Sequence, residues 1–163
     1  MLVSLSLASS SRLFSAESKS PQVTVSGAVD SPLQLGPSDL QSMPRVKVSA
    51  RDRDGEATFE GVRLWDIVQR AKPRFGEKPD RAIASSTIVV KGADGYQVVL
   101  SLAEIAPDFT DKSVVLADRR DGKVLVESQG PFQLIVSGDK IHARWVRQVT
   151  KLEIVIRSLN VKQ

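Results

Sequence analysis

No cysteine occurs anywhere in the 163 residues. Disulfides, thiolate metal sites, cysteine nucleophiles and a lipid-modified N-terminal cysteine are all excluded by that absence. Histidine is nearly as scarce, since His142 is the only one. A zinc site would have to gather several carboxylates around one imidazole. A serine triad would have His142 as its only base, without the Gly-x-Ser-x-Gly elbow that presents such a nucleophile. Aromatic residues make up 5% of the chain and do not interleave with basic ones, so single-stranded nucleic acid has no stacking platform and is set aside as a partner. No apolar run approaches the roughly 18 residues of a spanning helix. The glycine patterns of dinucleotide and Walker sites are also missing.

What remains is an ordinary globular composition, 41% hydrophobic and 26% charged, long enough for one domain with a real core and too short for two. The net charge of +4 and pI near 9.6 suit an anionic, phosphate-bearing small molecule. Leu2-Val-Ser-Leu-Ser-Leu-Ala8, followed by serines and small-x-small sites, has the look of a signal-peptide remnant, and a disordered tail is the plain alternative. Residues 1–21 are accordingly set apart from a domain over 22–163. Export makes periplasmic or secreted location the expectation.

Within that domain, alternation predicts short strands. Val23 and Val25 begin one and Leu33 and Leu35 resume it after the turn at Val29-Asp-Ser-Pro32. Pro37 to Met43 forms a short helix that Pro44 ends. Arg45 to Ala50 is a half-buried strand, Asp52-Arg-Asp-Gly55 a turn and Ala57 to Phe59 the return. The best helix is Leu64 to Lys72, where Leu64, Ile67, Val68 and Ala71 share a face and Pro73 stops the run. Trp65 packs at the edge of that face. After Pro79, the β-branched run Ile83 to Val90 reads as a buried strand, paired through Gly92-Ala-Asp-Gly95 with Tyr96 to Leu100. Ser101 and Glu104 form a capping box for a short helix. Val114 to Asp118 and Lys123 to Glu127 make a third hairpin. The class is α+β, a β-rich mixed-sheet domain with few short helices. Asp52, Asp54, Asp94, Asp108 and Asp111 sit in turns, where Asp is favoured for its own backbone contacts, and are read as turn residues before acid/base pairs.

The chain's chemistry concentrates between Gln129 and Ile154. Gly130-Pro131 leads into the apolar strand Phe132 to Val136, which breaks at Ser137-Gly138-Asp139, and a last strand runs from Val149 to Ile156. Lys140, His142, Arg144 and Arg147 fall between them. These four are the candidate anion contacts, expected to converge on one concavity while Gly138 gives the backbone room to turn. The plain alternative is a solvated basic loop with His142 satisfied by a backbone carbonyl.

The same stretch resembles the molybdopterin-binding domain of the sulfite oxidase family, in which a G-P-x-R/Q-L-I-V-P-G strand precedes a basic loop ending in Trp-Val. Glu60-Gly-Val-Arg-Leu-Trp-Asp-Ile-Val68, Gly92-Ala-Asp-Gly-Tyr96 with Leu100-Ser-Leu102, and Val115-Leu-Ala-Asp118 with Asp121-Gly-Lys-Val-Leu125 extend the likeness in the family's order. The resemblance implies that family's fold, an oxidoreductase setting and a molybdopterin cofactor. His142, Arg144 and Trp145 match the His, Lys and Trp of the family's Arg-His-Val-Lys-Trp loop, and Ile141 replaces the Arg. Arg144, directly before Trp145, is thus expected to be the strongest phosphate contact, with Trp145 packed beneath the loop. The family's molybdenum-ligating cysteine falls near Ser49 or Ala50, so no thiolate-bound molybdenum is expected. Two readings stay open: an oxidoreductase-type molybdopterin-binding domain lacking the cysteine ligand, or a non-catalytic module on the same fold that binds another small molecule or a protein partner. Neither the substrate nor a redox partner is specified.

Overall fold

The computed structural model describes residues 20–157; the export expectation falls on residues that lie outside this range. Ten strands and three short helices follow one another as β1 (Val23–Gly27), β2 (Leu33–Leu35), α1 (Pro37–Gln41), β3 (Arg45–Asp52), β4 (Gly55–Arg63), α2 (Leu64–Arg70), α3 (Pro79–Ser85), β5 (Thr87–Gly92), β6 (Gln97–Ser101), β7 (Val114–Arg120), β8 (Lys123–Val124), β9 (Gln133–Val136) and β10 (Val149–Val155). Single 3-10 turns occupy Leu102–Glu104 and His142–Arg144. The strands form two five-stranded sheets. The first has the order β2-β1-β10-β5-β6, with β1 parallel to β10 and every other pair antiparallel. The second runs β3-β4-β7-β8, and β9 also pairs with β7.

Strand alternation explains the layering. In β10, Val149, Leu152 and Ile154 are buried while Thr150 and Val155 face outward, and in β5 Ile88 and Val90 are buried on the same side as Leu100, the partner of Ile88. These residues share one core with Phe59 and Val62 of β4, Val115 and Leu116 of β7 and all of β9 except Gln133. Helix α2 lays Leu64, Ile67 and Val68, each 0% exposed, against it. Trp65 is partly buried at the edge and stacks on Phe75 at 6.2 Å. Arg45 braces the second sheet across β4, donating to Asp118 on β7 at 3.0 Å and to Glu60 at 3.2 Å.

Three local expectations are corrected. Pro79 at the first helical position and Asp80 in the first turn start α3, so Ile83 is a buried helix residue and the strand begins only at Thr87. The β-branched run is therefore split, with buried Ser86 at the joint. Helix α2 ends at Arg70, because Lys72 takes a left-handed φ of 54° and the carbonyls of Ala71 and Lys72 accept from Ser31 and Asp30. The third hairpin shrinks to Lys123–Val124: β9 takes the edge of β7 from Val114 to Ala117, which leaves β8 only Arg119 and Arg120 to pair with.

Because Ile67 is fully enclosed, Ile67→Ala should cost about 2–5 kcal/mol of stability, from lost transfer energy plus the cavity left behind. Urea unfolding measures it, and a loss under about 0.5 kcal/mol would be out of keeping with a closed core at this position.

Candidate functional site

Strand β9 supplies the first wall. Its four residues are buried, and the chain leaves it through Gly138, whose φ of +83° is one that L side chains resist. The returning segment is anchored by Trp145, 7% exposed, whose indole N–H donates to the Val136 carbonyl at 3.1 Å. The ring therefore lies under its own loop. Phe59 meets it edge-on at 5.5 Å and His142 covers it at 4.0 Å with the planes 24° apart. Leu134 N–H donates to the Val146 carbonyl, and the Arg147 carbonyl presses so closely on Gly92 that a Cβ there would lie 2.7 Å from it. These contacts set where Arg147 departs from the backbone.

The second wall comes from far away in the chain. The turn between β3 and β4 is folded by Asp52, whose Oδ1 accepts from Asp54 N–H at 2.8 Å. Arg120 on β7 pairs with Asp52 at 2.9 Å and Asp54 at 3.5 Å and lies over the Phe59 ring. Tyr96, beyond the β5–β6 turn, closes a third side by donating its hydroxyl to the Ala143 carbonyl at 2.7 Å.

Between these walls is a cavity of about 700 Å³ whose lining includes Arg53, Lys140, His142, Arg147 and Gln133. Arg120 offsets the negative charge of Asp52 and Asp54 by pairing with both. Lys140, Arg147 and Arg53 have no ion-pair partner among the described residues, so the mouth carries surplus positive charge. On the floor, Gln133 is 4% exposed and its side-chain oxygen has no hydrogen-bond partner among the described residues. Leaving a buried acceptor unpaired costs about 1–3 kcal/mol, so this atom calls for a partner.

Of the expected contacts, Lys140, His142 and Arg147 line this cavity; Arg144 and Gly138 do not. Arg144 turns away. Its Nε and Nη2 donate to Asp139 at 2.9 and 2.6 Å, and Nη1 to Glu104 at 2.9 Å. Bonds to Asp139 and then Glu104 raise the guanidinium pKa above its ordinary value against the effect of burial. The expected strongest phosphate contact is thus a clamp, joining the two ends of the Lys140–Ala143 tetrapeptide and tying both to the 3-10 turn after β6. The reason is proximity: two carboxylates lie within reach of Arg144 and none pairs with Lys140 or Arg147 among the described residues.

Gln133, Arg53 and Tyr96 were not legible as site residues. Gln133 had one signal, a lone amide within an otherwise apolar run. Arg53 had none, because its turn lies far from the basic loop in sequence. The register expected for a metal ligand also resolves. Asp52 faces the cavity, so by strand alternation Ala50 shares that side, whereas Ser49 is exposed on the other. Among the described residues no group of three or more His, Cys, Asp or Glu could hold a metal.

Comparison with known proteins bears on the family and the fold. The family model for the oxidoreductase molybdopterin binding domain matches residues 51–160. No curated protein sequence matches the chain. Among solved structures, the sulfane dehydrogenase SoxCD from Paracoccus pantotrophus shares the fold, with a TM-score of 0.64 at 18% identity over 85% of this chain. This chain spans 39% of the length of the matched chain.

The clamp is pH-dependent in a defined direction. Burial alone would raise the Glu104 carboxyl, but hydrogen bonds from Arg144 and the Ser101 N–H, with the charges of Arg144 and Lys112, hold it below its ordinary value of 4.5. A depressed folded-state pKa stabilises the fold fully above the unfolded value and loses that contribution as pH falls through the depressed one. The urea midpoint gap between wild type and Glu104→Gln should therefore be widest near neutrality and close as pH falls through and below the ordinary carboxylate range. A gap constant over that range would remove Glu104 as the titrating group.

Proposed function

The chain belongs to the oxidoreductase molybdopterin binding domain family, and on that footing we propose that it binds a molybdopterin-type ligand, a phosphorylated pterin, in the cavity between the Asp52–Gly55 turn and the segment from Lys140 to Arg147. One observation carries this reading: cations without an ion-pair partner among the described residues line the same cavity as Gln133, whose buried side-chain oxygen has no partner among them either. A phosphate is met by Lys140 and Arg147 at the mouth, with Arg53 opposite, through charge-assisted hydrogen bonds. A pterin ring offers the N–H donors that Gln133 Oε1 lacks, and its flat face suits the His142 and Trp145 stack. The volume lies within the roughly 300–1,000 Å³ usual for small-molecule sites.

The fit ends at the metal. Molybdenum of the sulfite oxidase type is held partly by a protein thiolate, and this chain has none. Ala50 offers a methyl group and Ser49 faces away. Both oxygens of Asp52 are already engaged, by Arg120 and by the Asp54 N–H. The proposed role is binding, and no oxygen-transfer step is assigned to these residues. Export belongs to the proposal and is supported by the apolar, serine-rich sequence before Pro21.

Protein purified from a host that makes the cofactor should release a pterin on denaturation. Lys140→Ala and Arg147→Ala should each weaken its retention about tenfold, near the low end for a charged hydrogen bond because both side chains are exposed, and more steeply at low salt. Pterin-free protein from such a host would favour a module for another small molecule or a protein partner. Retention unaffected by either variant would move the ligand away from this cavity.

A further inference from the structure

The donors in the cavity divide unevenly between the parts of a phosphorylated pterin. Everything that can recognise a ligand addresses its organic portion: cations at the mouth, an aromatic pair on one wall and the unpartnered Gln133 oxygen on the floor. Nothing addresses a soft metal, since there is no thiolate, the only imidazole is stacked on Trp145, and the nearest carboxylates are held by Arg120. We infer that this site recognises the pterin by its phosphate and ring alone, so that the metal-free compound binds as well as the metal-bearing one. The inference rests on the phosphorylated-pterin reading and adds the ligand class: a planar nitrogen heterocycle with an N–H donor edge and a phosphate, held reversibly without a protein–metal bond.

Gln133 is the specificity determinant in this scheme. It is the one buried residue of the described chain whose side-chain oxygen lacks a partner, and it stands in a strand whose other residues are apolar. Without a partner it costs the fold stability; a hydrogen bond from the ring would satisfy it. Its effects on stability and on binding are therefore of opposite sign. A residue that merely packs would move both the same way.

Titration of the full chain with metal-free 6-hydroxymethylpterin monophosphate, followed by the pterin's fluorescence, tests this directly. Saturable binding is expected, unchanged within twofold by a metal chelator. The unphosphorylated pterin should bind at least tenfold more weakly, and inorganic phosphate should compete. Gln133→Met should raise the thermal midpoint while weakening binding at least tenfold, and Gln133→Asn provides a second variant that keeps the amide if Met disturbs the strand. Asn, one methylene short, should retain more affinity than Met. Absence of binding to the metal-free compound, in protein that nevertheless retains pterin and molybdenum from a cofactor-making host, would overturn metal independence and leave the proposed function standing. No pterin in either experiment would overturn both. A Gln133→Met protein that binds normally would overturn the assigned role of Gln133.

Discussion

The burial of Trp145 beneath its own loop is the contact on which the cavity depends. A tryptophan is large, and its N–H must find an acceptor when water is excluded. The acceptor here is the Val136 carbonyl at the end of β9, so one hydrogen bond ties the returning segment to the strand it has just left. Phe59 from β4 of the same sheet supports the ring and His142 covers it. The 3-10 turn His142–Arg144 is thereby held over the gap between β9 and the β3–β4 turn, which becomes a cavity and not a filled interface.

Charge is then partitioned by geometry. Arg144 and Arg120 lie near the same region, yet each is spent on carboxylates: Arg144 on Asp139 and Glu104, Arg120 on Asp52 and Asp54. The first holds the loop's ends and the second the opposite turn. Both pairs are partly exposed and contribute modestly to stability, but they fix the two rims of the cavity relative to the sheets. Among the described residues, Lys140, Arg147 and Arg53 have no acid to pair with and can meet a solvent anion, because the local acids are already committed. A site that attracts phosphate is thus made from the cations that the scaffold does not use.

Much of the fold was legible because strand alternation and helix periodicity report burial locally. The buried face of α2, the β5–β6 hairpin through Gly92–Gly95 and the Ser101–Glu104 capping pair all follow from residues a few positions apart, and the structure has each of them. The failures are equally physical. Ile83 is β-branched, but Pro79 and Asp80 upstream favour a helix start, and a packed helix face outweighs one residue's strand preference. The Lys123–Glu127 strand was cut short by a competitor, β9, whose claim on the same edge of β7 cannot be seen from either segment alone.

The absence of a thiolate was settled by composition, as was the concentration of basic residues around the single histidine, since both are properties of the chain at any conformation. The direction in which each basic side chain points was not. Arg144 and Lys140 are equally basic on paper, and only the folded positions of Asp139 and Glu104 send one into a clamp and leave the other at the cavity mouth. Gln133 likewise reads as one polar residue in an apolar strand until the closure of the loop over β9 places it on a cavity floor without a partner. Sequence fixes which donors and acceptors exist. Tertiary structure decides which of them satisfy one another, because hydrogen bonds and ion pairs act over a few ångströms and segments far apart in the chain must first be brought that close.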